Sequence, residues 1–271
     1  MHDRGAACRE QRSIWPLKLQ MQRQRLTVRQ TQIMELLLIF YILTVRISGR
    51  FFFCEKGDVM ILPMENTEKM IFPGEGKFHI PIIKPETDIR IDKLEWIPFN
   101  YALSAKDRGS KGIHFYCDDY QFERVWRNPD RYVPLLQQFG AVLSPDFSMF
   151  RDHPEAVQIW SAYKRHWLAA YWQMHCIKVI PTIEWVWPES YEWCFDGEPR
   201  NSIISISSVG LMNERLATTL FTMGCKEAMR RLNPTQVLWH GKPLPGMDFN
   251  ATIIKPQYAE VRERCHDERR W

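Results

Sequence analysis

Two short apolar runs decide the fold: Gly112-Ile113-His114-Phe115-Tyr116-Cys117, which ends in Asp118-Asp119, and Ala141-Val142-Leu143, which leads into Ser144-Pro145-Asp146-Phe147-Ser148. Each run has strand length and ends abruptly in acid, and an aromatic-rich helical pattern lies between them. A strand with polar groups at its C-terminal end, followed by a helix, is the unit from which α/β active sites are assembled.

Working outward, the same rhythm repeats. Trp96 to Asn100 reads as a short strand before the first run. Tyr120 to Phe139 reads as helix, broken at Asn128-Pro129 because proline disfavours helix in the residue before it. Pro154, with Asp152 as a cap, opens a helix whose apolar stripe is Val157, Trp160, Tyr163, Trp167 and Ala170. Ile177–Trp185 and Ser202–Ser208 read as strands. Asn213 to Leu232 reads as helix with Leu216, Leu220 and Met223 inward, and Val237–His240 is a further strand. Ile80–Ile83 and Thr252–Ile254 are weaker strand signals, residues 60–93 read as an extended lead-in to an α/β domain over 94–255, and Pro256 begins a polar C-terminal helix. Strands alternating with long helices indicate parallel βαβ units.

Period-two alternation sorts these strands into two faces. One face collects Ile113, Phe115, Cys117, Ala141, Leu143, Val179, Ile183, Ile204, Ile206, Val237 and Trp239. The other collects His114, Tyr116, Asp118, Ser144, Asp146, Ser148, Lys178, Thr182, Glu184, Ser205, Ser207 and His240. Doubly wound sheets bury both faces and read as almost wholly apolar. A consistent polar face therefore predicts a barrel-like, TIM-like parallel sheet, complete or incomplete, with a polar lumen; an open doubly wound sheet is the alternative.

The formal net charge of +4 belongs to one end of the chain. Residues 1–59 hold ten Lys and Arg against five Asp and Glu, whereas the rest holds 26 against 27. The body thus lacks the basic excess of an autonomous polyanion binder. The seven cysteines form no C-x-x-C pair, as expected of reduced thiols in a cytoplasmic protein. The apolar stretch Ile33 to Val45 is too short for a bilayer span of roughly 20 residues. Lys56-Gly57-Asp58-Val59-Met60 can be encoded by a purine-rich run just upstream of ATG, the look of a bacterial ribosome-binding site read through in frame. The expected native start is Met60 or Met64, with 1–59 outside the native fold.

Carboxylates at neighbouring strand ends are the sharpest candidate site. Asp118, Asp119 and Asp146 offer the hard oxygen ligands that Mg²⁺ or Mn²⁺ requires. Asp118, Asp146 and Glu184 also suit acid/base work, since a like-charged neighbour raises one carboxyl's pKa. Helix capping by Asp119 and turn capping by Asp146 are the competing structural uses. His114 and His240 are candidate assisting bases, against a plain role as hydrogen-bonded core residues. Lys242, Ser148 and Trp185 are candidate substrate contacts; the full G-x-x-x-x-G-K-[ST] phosphate loop is absent around Gly241-Lys242-Pro243, and Trp185 serves equally well in core packing. Cys117 is a poor thiolate, because adjacent acids oppose its ionisation.

With these residues in view, the chain resembles a phage- and prophage-associated family of unknown function, domain of unknown function 4417. The resemblance is carried by His114-Phe115-Tyr116 leading into Asp118-Asp119-Tyr120, by Phe122 with Trp126, and by Ser144-Pro145-Asp146-Phe147-Ser148. It continues through Val179-Ile180-Pro181-Thr182, Phe195-Asp196-Gly197, Ser207-x-Val209-Gly210 and Gly241-Lys242-Pro243, spanning Trp96 to Pro243. It implies a mobile-element context in a bacterial host cell and no particular activity. The expectation is an enzyme, a metal-dependent hydrolase of a phosphate-containing or nucleic-acid substrate. The alternative is a non-catalytic interaction protein that holds a host or phage protein.

Overall fold

In a computed structural model of the chain the described residues are 66–210, 214–244, 249 and 251–254, all within the unit Pro63–Trp271. The expected start at Met60 or Met64, the stretch 33–45 and the helix from Pro256 lie outside the described residues. No helix among the described residues is long and apolar enough to cross a membrane.

A one-turn helix α1 (Asn66–Lys69) precedes a small hairpin of β1 (Gly74–Glu75) and β2 (Ile80–Pro81). The main sheet follows: β3 (Glu95–Pro98), β4 (Lys111–His114), β5 (Ala141–Leu143), β6 (Val179–Ile180), β7 (Ile203–Ser207), β8 (Gln236–His240) and β9 (Ala251–Ile254). Between them run α2 (Asp119–Arg127), α3 (Pro129–Leu136), α4 (Glu155–Met174) and α5 (Arg215–Leu232). Pro129, at the first position of α3, restarts the helix that Asn128 ends, as its fixed φ permits.

All seven main strands are parallel and lie in sequence order. β3 to β6 form one ladder and β7 to β9 another. A parallel bridge from Thr182 to Ser205, with backbone bonds Ser205 N to Pro181 O and Ile183 N to Ser205 O, joins the two ladders. A doubly wound sheet must reverse its strand order at a switch point; this one never does. Right-handed crossovers running in one direction place every helix on one face, so the other face must turn in on itself. It does: Tyr116, just after β4, hydrogen-bonds Ser205 on β7 and stacks on His240 at the end of β8. No ladder joins β3 to β9 among the described residues, so the strands form an open, curved arc of two bridged parallel ladders.

The outer face follows the alternation. Ile113, Phe115, Val142 and Val179 pack with Phe122, Trp126, Trp167 and Trp172 of the covering helices. Ile183, Ile204, Ile206, Val237 and Trp239 pack with Phe221, Cys225, Ala228 and Leu232. The predicted face is corrected at β5, where Ala141 and Leu143 lie inside with Ile180, Ile203, Leu238 and Ile254. The lumen is therefore apolar at its floor and polar only towards the strands' C-terminal ends. Gly112 makes room in that floor: a Cβ there would sit 2.5 Å from the Trp96 ring.

The lead-in does more than connect. Ile89 and Ile91 join the interior cluster and plug the lumen floor, each burial contributing about 1.5–3 kcal/mol. Glu86 ties this segment to the sheet, its N–H bonded to Ser202 Oγ and its carbonyl to Ile203 N–H. Ile80–Pro81 belongs to the hairpin and not to the barrel-like sheet, whereas the other weak signal is a true strand, β9.

Two helix faces are also corrected. On α4, Val157 and Trp160 are exposed, while Ala162, Arg165, His166 and the run Trp167–Trp172 are buried. Asp152 does not cap this helix; Pro154 holds the N-cap position without a side-chain bond. On α5, Leu216 and Met223 are exposed, and Leu220, Phe221, Gly224, Cys225 and Ala228 face inward.

Candidate functional site

The strands' C-terminal ends open onto a cleft of about 380 Å³. Asp146 follows β5 and Glu184 follows β6, so neighbouring strands deliver both carboxyls to it; Thr182 and Ser207 add hydroxyls, and Phe150, Trp185 and Phe221 form apolar walls. Arg151 stands at the rim, ion-paired with Glu214 at 2.6 Å. Ser144 fixes the strand ends relative to each other: its Oγ accepts from Thr182 N–H at 2.7 Å and its carbonyl accepts from Thr182 Oγ1 at 2.8 Å.

Asp146 and Glu184 line the same cleft, close enough for each to feel the other's charge. Burial and the adjacent Glu184 charge hold Asp146 well above the usual carboxyl range, with only partial relief from Arg165. Glu184 accepts a hydrogen bond from the Arg165 guanidinium, which rises from α4 with no exposed surface. The guanidinium favours the ionised form of the carboxyl it touches. Arg165 thus sits on the Glu184 side of the pair, while Asp146 has no cation in contact with it among the described residues.

Asp119 has a different occupation. Its carboxylate accepts the Ser148 backbone N–H at 3.1 Å and the Ser148 hydroxyl at 2.9 Å, latching the loop after β4 to the loop after β5. Asp118 is exposed at the N-cap of α2, with no capping bond. The expected trio Asp118, Asp119 and Asp146 therefore makes no cation cage, and among the described residues no group of three or more His, Cys, Asp or Glu is spaced to hold a metal ion.

Beside the carboxyl pair the lumen holds a ring stack. Tyr116 lies parallel to His240 with centroids 4.3 Å apart, and His114 is 5.5 Å from His240. Burial pushes His114 down to about 3, helped by His240, and pushes His240 down to about 4, so both imidazoles are neutral. His240 Nδ1 lies 3.0 Å from Ser207 Oγ, while His114 Nδ1 and His240 Nε2 have no hydrogen-bond partner. Burial, with Asp146, Asp118 and Asp119, pushes the Cys117 thiol up to about 12, in keeping with its poor prospects as a thiolate. Trp185 reaches the cleft but is wedged against α5, where a Cβ on Gly224 would meet its Nε1 at 2.1 Å. Lys242 is exposed and outside the cleft lining; its carbonyl accepts from Ser208 Oγ.

Three residues behind the pair escape pattern reading: Arg165, His166 and Glu198, each buried. Arg165 Nη2 is 4.0 Å from Glu198 Oε1, and His166 Nε2 is 3.0 Å from the same oxygen. Only the placement of two basic residues among the aromatics of α4 hints at them.

The chain is 36% identical over 199 residues to the Gene 1 protein of Mycobacterium phage D29, a match covering 72% of this chain and 73% of that protein. It is 36% identical over the same length to the Gene 1 protein of Mycobacterium phage L5, covering 86% of that relative. No solved structure gives a significant match. The family described as domain of unknown function (DUF4417) matches residues 72–259, which span the whole sheet, the carboxyl pair and the network behind it, and the chain belongs to that family.

Proposed function

We propose that the protein is an enzyme, a hydrolase in which Asp146 gives its proton to the leaving group as the bond to it breaks, water adds to the centre left behind, and the Asp146 carboxylate so formed takes that water's proton, with Glu184 as the neighbouring anion. The observation that carries this reading is the delivery of the Asp146 and Glu184 carboxyls to one cleft by neighbouring strands, with the buried Arg165 bonded to Glu184 alone of the two. Two carboxyls driven apart in acidity by their surroundings divide the roles of acid and anion, and a well-placed proton donor is worth about 10²–10⁴ in rate. The substrate class is a phosphate-containing or nucleic-acid-derived small molecule. A cleft of this volume lies in the range of small-ligand pockets, the aromatic edges of Phe150 and Trp185 suit a planar base, and Arg151 offers positive charge at the rim. The expected carboxylate trio does not fit a divalent cation, so acid/base chemistry is the part of the expectation we retain.

The test is turnover of a panel of nucleosides, nucleotides and phosphate mono- and diesters by the wild-type chain and by Asp146→Asn and Glu184→Gln. The reading requires a consumed member and a loss of about 10²–10⁴ in kcat in each variant with folding intact. A panel left untouched, or activity retained in both variants, overturns it in favour of a binding module of phage origin.

A further inference from the structure

Burying charge without solvent is costly, and a buried ion network is often less stabilising than an apolar one of the same size. Arg165, His166 and Glu198 nevertheless sit fully inside, with Arg165 Nε and Glu198 Oε2 lacking a hydrogen-bond partner and Arg165 Nη2 no nearer than 4.0 Å to Glu198 Oε1. Packing alone gives no reason for them. Counting protons does.

His166 Nδ1 lies 2.8 Å from the Ala162 carbonyl oxygen, which can only accept, so Nδ1 carries a hydrogen. Nε2 then faces the Glu198 carboxyl at 3.0 Å. A bare nitrogen lone pair against a carboxylate would be repulsive, so one proton lies between them. Whichever atom bears it, His166 and Glu198 together are neutral. Arg165 is always charged, and its positive charge is left for Glu184. With Glu184 ionised, the buried group is neutral only while Asp146 keeps its proton; ionising Asp146 would leave an uncompensated buried anion.

We propose that Arg165, kept available by the neutral His166–Glu198 pair, is the positioning residue that makes Glu184 the anion and Asp146 the proton carrier of the cleft. The inference rests on the acid/base reading for its use, though not for its test. The other titratable groups facing the network are Asp119 and Tyr116 on the cleft side, Cys194 beside Arg165 and Glu198, and Asp196 near His166. The Arg231 guanidinium acts on Cys194 and Asp196 from the far side, but it is held by Glu227 and the Tyr191 carbonyl and does not contact Glu184, so it does not replace Arg165.

The experiment is a carboxyl ¹³C NMR titration of the Asp146–Glu184 pair in wild type, Arg165→Lys and Arg165→Met, with Asp146→Asn for assignment and circular dichroism for folding. Loss of the cation moves the pair's first deprotonation up by about 1–3 pH units in Arg165→Met, and the charge-conserving Arg165→Lys shifts it by clearly less. If Arg165→Met fails to fold, Arg165→Gln keeps a donor to Glu184 without the charge and is expected to give the same upward shift. Equal titration in all variants, or equal shifts for the lysine and the uncharged replacement, overturns the proposal. The titration uses no substrate, so a failed turnover screen and a failed titration remain separate results.

Discussion

Arg165 and Glu184 form an ion pair whose ends see different surroundings: the guanidinium is wholly buried, and the Glu184 side chain keeps 21% of its surface open. The pair carries the charge of α4 into the cleft without exposing a cation to it. The cleft thus holds one carboxyl, Glu184, with a fixed cationic partner and one, Asp146, that burial and Glu184 raise well above the usual range.

Breaking this pair from the buried side should cost more than breaking it from the cleft side. Arg165→Met leaves the Glu184 carboxylate without its buried partner, and should lower the unfolding free energy by about 3–5 kcal/mol, read as a shift in urea midpoint. Arg165→Met with Glu184→Gln should recover part of that loss, because the second change removes one stranded charge; a double-mutant cycle measures the coupling.

Stability should fall on acidification because of the lumen histidines. In the unfolded chain each binds a proton near pH 6.5, whereas folded His114 and His240 resist to about 3 and about 4. Their contribution is full above 6.5 and is lost as pH falls through that window. His114 alone accounts for on the order of 3 kcal/mol by pH 4. His114→Phe should flatten the fall in urea titrations between pH 6.5 and 4; an unchanged slope refutes the assignment.

Asp146 works with the opposite sign. Its folded value lies above the unfolded value of about 3.9, so its stabilising share is full below that pH and is lost as pH rises towards the folded value. Asp146→Asn should therefore gain stability relative to wild type as pH rises from 4 to 8, measured by thermal melts across that range.

The loop latch should behave as an ordinary charged hydrogen bond. Ser148→Ala removes the hydroxyl donor but not the backbone donor to Asp119, and should cost about 1.5–3 kcal/mol. Asp119→Ala loses both donors' acceptor and should cost more than Ser148→Ala. Equal costs would show that the Ser148 backbone bond contributes nothing.

Gly112 gives a test of the lumen floor. Gly112→Ala places a methyl against the Trp96 ring and should destabilise by about 1–3 kcal/mol through overpacking, with a change in tryptophan fluorescence.

Much of this arrangement was legible in the sequence because period-two alternation is a strong constraint. His114, Tyr116, Glu184, Ser205, Ser207 and His240 were all assigned to the face that forms the lumen and mouth. The strand β5 was misread because a lumen with an apolar floor places Ala141 and Leu143 inside, where the rule of a polar face expects hydrophilic residues. The α4 face was misread for a related reason. Hydropathy turns a helix with its charges outward, and here Arg165 and His166 are turned inward by partners, Glu184 and Glu198, that lie 19 and more residues away in the chain. Glu198 itself sits in an irregular loop, where no periodicity speaks. Ile89 and Ile91 read as parts of a linker because a plug makes no secondary structure of its own.

The most direct measurement of the central claim is the ¹³C carboxyl titration of Asp146 in the wild-type chain. The account predicts a midpoint raised well above the usual carboxyl range. A resonance that titrates near pH 4, like that of a solvent-exposed aspartate, contradicts it.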